Sequence, residues 1–267
     1  MPAMKPELLD FGDNFAAYTT AEIEARFIYK EIFTDHCYDI ADFPENPFFV
    51  DAGANIGMFS MYMKRKFPHT KILAFEPAPS NYGILQQNLA YHSLDGVEAH
   101  QCALGAEEAT EPLTFFHLMP GNSTFVPEEK EEMLKIIEGQ FPPEFIHSLY
   151  NSREQIDVPV KRLSDFLPAS HEMGNIDLLK IDVEAREIDV MRGLDDKHWA
   201  KVQNVAVEVF DIGGALASVI DFLKSKDFTN VRAEIALAGQ DDPDKPKVYQ
   251  VRCHRIYTGK YSIIQAQ

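Results

Sequence analysis

The feature that most constrains this sequence is a short apolar run ending in a glycine turn, Phe48-Phe49-Val50 followed by Asp51-Ala-Gly-Ala-Asn-Ile-Gly57. A continuous run of aromatic and β-branched residues bounded by a turn reads as a strand buried on both faces, the kind that parallel sheets use. The small residues and the glycines at 53 and 57 let the chain turn tightly and enter a helix whose first N–H groups are free to meet a ligand. Few folds are open to a chain built around such a unit.

The same alternation continues on both sides of one interruption. Helix 57–66, strand 71–76, helix 79–92 and strand 97–103 follow the turn, and strand 176–182, helix 185–193, strand 202–210 and helix 214–226 come later. This pattern predicts a doubly wound α/β domain, a parallel sheet with helices on both faces. Two last strands, near 228–236 and 247–257, flank a loop marked by Pro243 and Pro246 and are expected to close the sheet as an antiparallel pair. Residues 1–43 are expected to be an N-terminal helical segment, because Ile23, Phe27, Ile28 and Ile32 recur at helical spacing behind Thr20, a candidate N-cap. The domain proper then runs over 44–267.

The interruption, 104–175, holds two expected strands, 111–118 and 156–163. Between them lie helical patterns around Met133, Ile136 and Ile137 and around Phe145, Ile146 and Leu149, split by Pro142 and Pro143. A structureless stretch of this length is uncommon in a compact domain, so 119–155 is expected to form a helical cap insertion.

Charge narrows the choice of partners. The chain has 42 Asp and Glu against 25 Lys and Arg, a formal charge of −17, and such a field repels polyphosphate backbones. Nucleic acid is not expected as a partner, and Lys64-Arg65-Lys66 reads as a solvated helix end. Cys37, Cys102 and Cys253 are odd in number and far apart, which fits a reducing compartment better than a disulfide framework. The first residues lack the apolar stretch of a leader, and no run approaches the roughly 20 apolar residues of a membrane span. A cytoplasmic protein without membrane contact is the expectation.

Glu76 ends the second strand, in Ile72-Leu-Ala-Phe-Glu-Pro77, one helix and one strand beyond Gly57. A carboxylate there is placed to accept from both hydroxyls of an adenosine ribose. A dinucleotide site carries Gly-x-Gly-x-x-Gly, whereas here Asn55 stands at the middle glycine position, so the turn is not shaped for a pyrophosphate. The Asn55 amide is instead available to a carboxylate or a neighbouring loop.

Phe49-Val-Asp-Ala-Gly-Ala-Asn-Ile-Gly57, Phe75-Glu-Pro77, Cys102-Ala-Leu-Gly105 and Leu178-Leu-Lys-Ile-Asp-Val-Glu184, followed by Met191-Arg-Gly193, occur in this order. Together they resemble the FkbM-type methyltransferases, from about residue 30, at Lys30-Glu-Ile-Phe33, to about residue 211. The resemblance implies a Rossmann-like class I methyltransferase sheet that uses S-adenosylmethionine. It also implies O-methylation of a hydroxyl on a small-molecule, polyketide-like or glycosylated secondary metabolite, free or carrier-tethered. N-methylation of an amine is the alternative within that class, and an NAD-dependent oxidoreductase the alternative outside it. Asp51, Gly53, Asn55, Gly57, Glu76 and Pro77 are the expected cofactor contacts, with Asp51 holding the amino group of the methionine moiety directly or through water. The chain departs from the family at Ala185-Arg186-Glu187, where Gly-Ala-Glu is usual. Alanine there narrows any backbone approach, and Arg186 puts a cation near the mouth of the site.

Methyl transfer from a sulfonium to oxygen needs positioning and a group to take the proton. Candidates come from the strand ends, and Asp182 and Glu208 are the expected catalytic residues. Asp182 reads equally as a helix N-cap or a buried structural carboxylate; Glu208 interrupts an apolar strand and must find a partner. Glu184 reads as a first-turn acid, and His117 and His147 as surface histidines beside the cap, with a base reaching down from the cap as the alternative. Asn122-Ser123-Thr124 is placed to position an acceptor. Phe141, Phe145, Ile146 and Tyr150 suggest that the acceptor is apolar or amphipathic. No metal is expected, because Asp182, Glu208 and Asp211 lack further oxygen ligands at fixed spacing.

Overall fold

The computed structural model describes residues 5–137 (side chains to 132), 142–169, 171–236 and 247–255. Phe141, Pro243 and Pro246 and the side chains of Met133, Ile136 and Ile137 lie outside the described residues. The chain opens with β1 (Glu7–Gly12) and β2 (Phe15–Thr19), then α1 (Glu22–Tyr29), which runs into a π-helical turn at Lys30–Thr34. The first alternating run is β3 (Phe48–Ala52), α2 (Met58–Lys66), β4 (Lys71–Phe75), α3 (Pro79–Tyr91) and β5 (Val97–His100). The interruption holds β6 (Ala103–Leu104), β7 (Ala109–Phe116), α4 (Pro127–Ile137), α5 (Pro143–Asn151) and β8 (Arg153–Lys161). The second run is β9 (Leu178–Ile181), α6 (Glu187–Arg192), α7 (Asp196–Trp199), β10 (Asn204–Phe210), α8 (Ala215–Ser225), β11 (Arg232–Ile235) and β12 (Val248–His254).

The main sheet has the order β11-β12-β10-β9-β3-β4-β5. Strands β5, β4, β3, β9 and β10 are parallel, and β12 runs antiparallel to both β10 and β11. The expected doubly wound sheet and its antiparallel closing pair are therefore present. Strand order reverses between β3 and β9, which opens a crevice beyond their carboxyl ends. Alternation along each strand feeds two cores. Val50, Leu179 and Val207 pack on one face with Trp199 and Leu223, and Phe49, Leu178 and Ala206 pack on the other with Phe59 and Leu85. Each fully buried Val, Leu or Phe contributes about 1.5–3 kcal/mol, so the strand ends that carry polar residues sit on a rigid frame.

Two expectations need correction. Residues 1–43 do not form a helical segment alone, because a hairpin precedes α1. Its turn residues Asp13 and Asn14 both have positive φ, +49° and +55°, as the type I′ hairpin turn requires. The hairpin decides which side of α1 is buried: Phe15 meets Phe33 at 4.4 Å between ring centroids and Tyr29 at 5.6 Å. The face through Ala25 and Tyr29 therefore turns inward, and Ile23 and Phe27 are left 73% and 48% exposed. Thr20 does not cap α1; Ala21 holds that position, and Thr19 Oγ1 accepts its N–H at 3.0 Å. The second correction concerns strand 97–103, which ends at His100. The chain then leaves the main sheet, and β6 joins β8 and β7 in a separate three-stranded sheet. Among the described residues, the stretch expected to be the cap holds a short 3-10 turn at Pro120–Asn122 followed by α4 and α5, and its last residues, from Arg153, belong to β8.

Candidate active site

A cavity of about 800 Å³ opens at the switch point between β3 and β9. One half is built by the glycine turn. Gly53 has φ +81° and lies against the loop after β9, and Gly57 has φ +91° and begins α2 as its N-cap. Between them Asn55 donates its N–H to Glu76 Oε2, and its side-chain oxygen accepts from Asn81 Nδ2 at 3.1 Å. The side-chain oxygen of Asn55 is thus tied to α3, while the residue lines the cavity. Glu76 Oε1 accepts from the Ala78 N–H, so both oxygens fix backbone while each keeps a second lone pair. Burial pushes the Glu76 carboxyl up to about 7, although the two backbone N–H groups and Lys180 favour its charge.

This half fits an adenosine. The Glu76 carboxylate lines the cavity beside Pro77, and Phe75, Cys102, Ala103, Leu104 and Leu113 make an apolar slot next to it. Asn81, also in the lining and only 1% exposed, has an Oδ1 atom without a hydrogen-bond partner among the described residues, as expected where a donor from a ligand is to arrive.

Asp51 does not line the cavity. Fully buried, it accepts from Ser60 Oγ at 3.2 Å and from Lys180 Nζ at 2.9 Å. Lys180 stands between Asp51 and the cavity and also donates to the Gly53 carbonyl at 2.7 Å. Burial opposes the Lys180 charge, but Asp51, Asp182 and Glu208 outweigh it and hold the ammonium above its usual range. The expected direct contact of Asp51 with an amino group is therefore replaced by an ion pair that shapes the turn from beneath.

The other half is lined by carboxylates. Asp182 follows β9, with its Oδ2 3.6 Å from Lys180 Nζ, and Glu208 lies on β10 opposite Gln250 of β12. Burial, with Asp182 and Glu31 beside it, raises Glu208 well above the ordinary carboxyl range and so disfavours its charged form. Glu31, Cys37 and Tyr38 form the facing wall. Sequence reasoning missed these three because the π-helical turn that presents Glu31 is not marked in the pattern. The available signal was Lys30-Glu-Ile-Phe33, an acid beside apolar residues in a segment that carries the family resemblance.

The N-terminal helix and the loop after β9 hold the cap. Glu24 of α1 accepts from the Gly121 N–H at 3.0 Å and from Asn122 Nδ2 at 3.2 Å, and burial raises its carboxyl to about 7. Glu184 is not a first-turn helix acid; it forms an ion pair with Lys130 of the cap, and its carbonyl accepts from Thr124 Oγ1 at 2.7 Å. The first-turn acid is Glu187, which accepts from the Ala185 N–H at 3.0 Å. Arg186 does reach the mouth of the cavity but is paired with Glu111 at 2.9 Å and with Asp189 at 2.6 Å.

Other candidates fall away from the cavity. Asp211 accepts from the Leu216 N–H at 3.1 Å and so starts α8, and His117 approaches Glu154 at 3.6 Å. His147 is exposed on α5. Ile146 and Tyr150 are buried and do not line the cavity; Phe27, Ile28, Phe125 and Ile235 are among its apolar lining residues. Lys64 is buried, donating to the Pro68 and Thr70 carbonyls, whereas Arg65 and Lys66 are exposed at the helix end. Among the described residues, no helix is long and apolar enough to cross a membrane, and no group of three or more His, Cys, Asp or Glu side chains is arranged to hold a metal ion.

The chain is similar to known methyltransferases. The methyltransferase FkbM domain family matches residues 51–231. Methyltransferase 1 of Beauveria bassiana (strain ARSEF 2860) is 48% identical over 224 residues, covering 83% of this chain and 89% of that protein. The 31-O-demethyl-FK506 methyltransferase FkbM of Streptomyces tacrolimicus is 36% identical over 219 residues, covering 78% of this chain and 83% of that protein. Among solved structures, methyltransferase FkbM from Methylobacillus flagellatus KT has the same fold, with a TM-score of 0.50 and 15% identity, covering 78% of this chain and 44% of that one.

Proposed function

Because this chain belongs to the FkbM methyltransferase family, we propose that it is an S-adenosylmethionine-dependent O-methyltransferase. Its acceptor is a hydroxyl on a small-molecule, polyketide-like or glycosylated secondary metabolite, free or carrier-tethered, and it acts in the cytoplasm. The observation that carries this reading is the division of the switch-point cavity into an adenosine-fitting half at Gly53, Asn55, Glu76 and Pro77 and a carboxylate-lined half at Asp182 and Glu208. When bound, the cofactor supplies a methyl group on a positively charged sulfur.

The protein's residues do the rest. Glu76 holds the ribose hydroxyls, and the turn from Gly53 to Gly57 lets the methionine end approach the backbone closely. Lys180, fixed by Asp51, keeps that turn in shape. In the second half, Glu208 and Asp182 face the acceptor, with Asp182 at the junction of the two halves. A reactant held in line by groups that do not move gains much of its acceleration from positioning alone. Phe27 and Ile235, both exposed at the cavity mouth, suit the apolar body of an amphipathic acceptor. Oxygen as the receiving atom is supported by the 31-O position in the name of the Streptomyces relative.

Hydroxylated metabolites incubated with the protein and methyl-labelled cofactor test this reading by mass spectrometry. A product that gains one labelled methyl on oxygen is the expected result. Transfer to amines with none to hydroxyls would overturn it.

A further inference from the structure

Three carboxylates from three separate elements converge on the acceptor half of the cavity: Glu31 from the π-helical turn, Asp182 beyond β9 and Glu208 on β10. The cations around them have carboxylate partners of their own, although Arg252 also keeps a buried Nε without a hydrogen-bond partner among the described residues. Lys180 serves Asp51 and Asp182, Lys30 pairs with Asp35 at 2.5 Å, and Arg252 faces Glu234 at 3.4 Å. Like charges that share one site cannot all ionise, so the set must divide its protons. Gln250, in register with Glu208 and 8% exposed, has an Oε1 atom with no partner among the described residues. A buried amide oxygen left open in the lining marks this corner as a place where a polar ligand group is received. Glu31 is presented to the cavity from a π-turn, a distortion that recurs at functional sites.

We propose that Glu31 is the proton acceptor of this site, and that it gives up its own proton to solvent when the positively charged cofactor enters. The inference rests on the methyltransferase reading above. Before the cofactor enters, burial and then Asp182 and Asp35 push Glu31 to about 7, with Lys30 offsetting only part of this. Cys37, with a thiol raised by burial and by Glu31, stays neutral beside it, and Tyr38, raised by burial and by Asp182, is a neutral phenol. Glu184 is held by Lys130. Glu31 therefore changes charge near neutrality, the condition that suits a general base, and whereas Glu24 and Glu76 of the same lining are engaged with backbone N–H groups, Glu31 stands beside Asp182 and Glu208. A positive charge placed among these groups favours the carboxylate and releases the proton. In the transfer, the acceptor oxygen bonds the methyl carbon, the carbon–sulfur bond breaks with its electron pair staying on sulfur, and the hydroxyl proton passes to Glu31. The next cofactor sends that proton to solvent.

Calorimetry in buffers of different ionisation enthalpy measures protons released on binding, and it needs no acceptor. S-adenosylmethionine is compared with S-adenosylhomocysteine, which lacks the positive charge. At pH 7 the charged ligand should release about half a proton more, the share still held by a group that titrates near 7. Glu31→Gln should abolish this difference while leaving S-adenosylhomocysteine affinity within about threefold, and Glu208→Gln should retain it. Equal release by the two ligands in the unaltered protein overturns the proposal, as does a difference that survives Glu31→Gln. Failure of both ligands to bind would instead refute the methyltransferase reading on which the proposal rests.

Discussion

The carbonyl oxygen of Asp182 lies 1.8 Å from the point that a β-carbon on residue 53 would occupy. The turn after β3 and the loop after β9 therefore touch backbone to backbone, and only glycine at 53 lets the two halves of the cavity meet. Gly53 also has φ +81°, where a side chain adds strain. Gly53→Ala should cost about 2–4 kcal/mol, measured by urea denaturation, since it combines a collision with an unfavourable backbone region. A loss below 0.5 kcal/mol would mean that the loops part easily.

Ala185 shows the opposite situation, a non-glycine residue at φ +82°. It stands where the resemblance to the family leads one to expect glycine, the residue that tolerates this conformation. Ala185→Gly should raise stability by about 1 kcal/mol, the usual scale of the left-handed penalty for L residues. In a domain of this size that is a rise in melting temperature of about 2–4 °C. A lower melting temperature would show that the alanine methyl packs well enough to repay its strain.

Stability should also follow pH through the cap latch. Burial raises the Glu24 carboxyl to about 7 from an unperturbed 4.5, so the folded state favours the protonated form. Its contribution is fully present below pH 4.5 and is lost as pH rises through 7. Glu24→Gln removes this titration. The variant should melt close to the parent at pH 5 and above it at pH 8. A variant that loses stability as pH rises in parallel with the parent would place the titrating group elsewhere.

The main sheet was legible because its strands are continuous apolar runs that end in glycine, acid or proline, as Phe49 to Gly53 and Phe75 to Pro77 show. Glu76, Asp182 and Glu208 could be found for the same reason, since a polar residue ending or interrupting such a run faces the crevice. What escaped depended on contacts distant in sequence. The rotation of α1 is set by Phe15 on a hairpin whose turn signal, Asp13-Asn14, is only two residues long. Glu31 depends on a π-turn, and Lys180 on a buried acid 129 positions away. Asp51 looked like a ligand contact because it follows an apolar strand; it is in fact the counter-ion of that lysine.

The most direct test of the central claim is calorimetric titration of the protein with S-adenosylhomocysteine and, separately, with NAD. The account expects S-adenosylhomocysteine to bind and NAD not to, and expects Glu76→Gln to weaken binding by about 1–3 kcal/mol through loss of a charged hydrogen-bond partner. Glutamine keeps an oxygen for one of the two N–H groups that Glu76 fixes, so the turn should survive the change. NAD binding comparable to that of S-adenosylhomocysteine, or no binding of S-adenosylhomocysteine to the folded protein, would contradict the account.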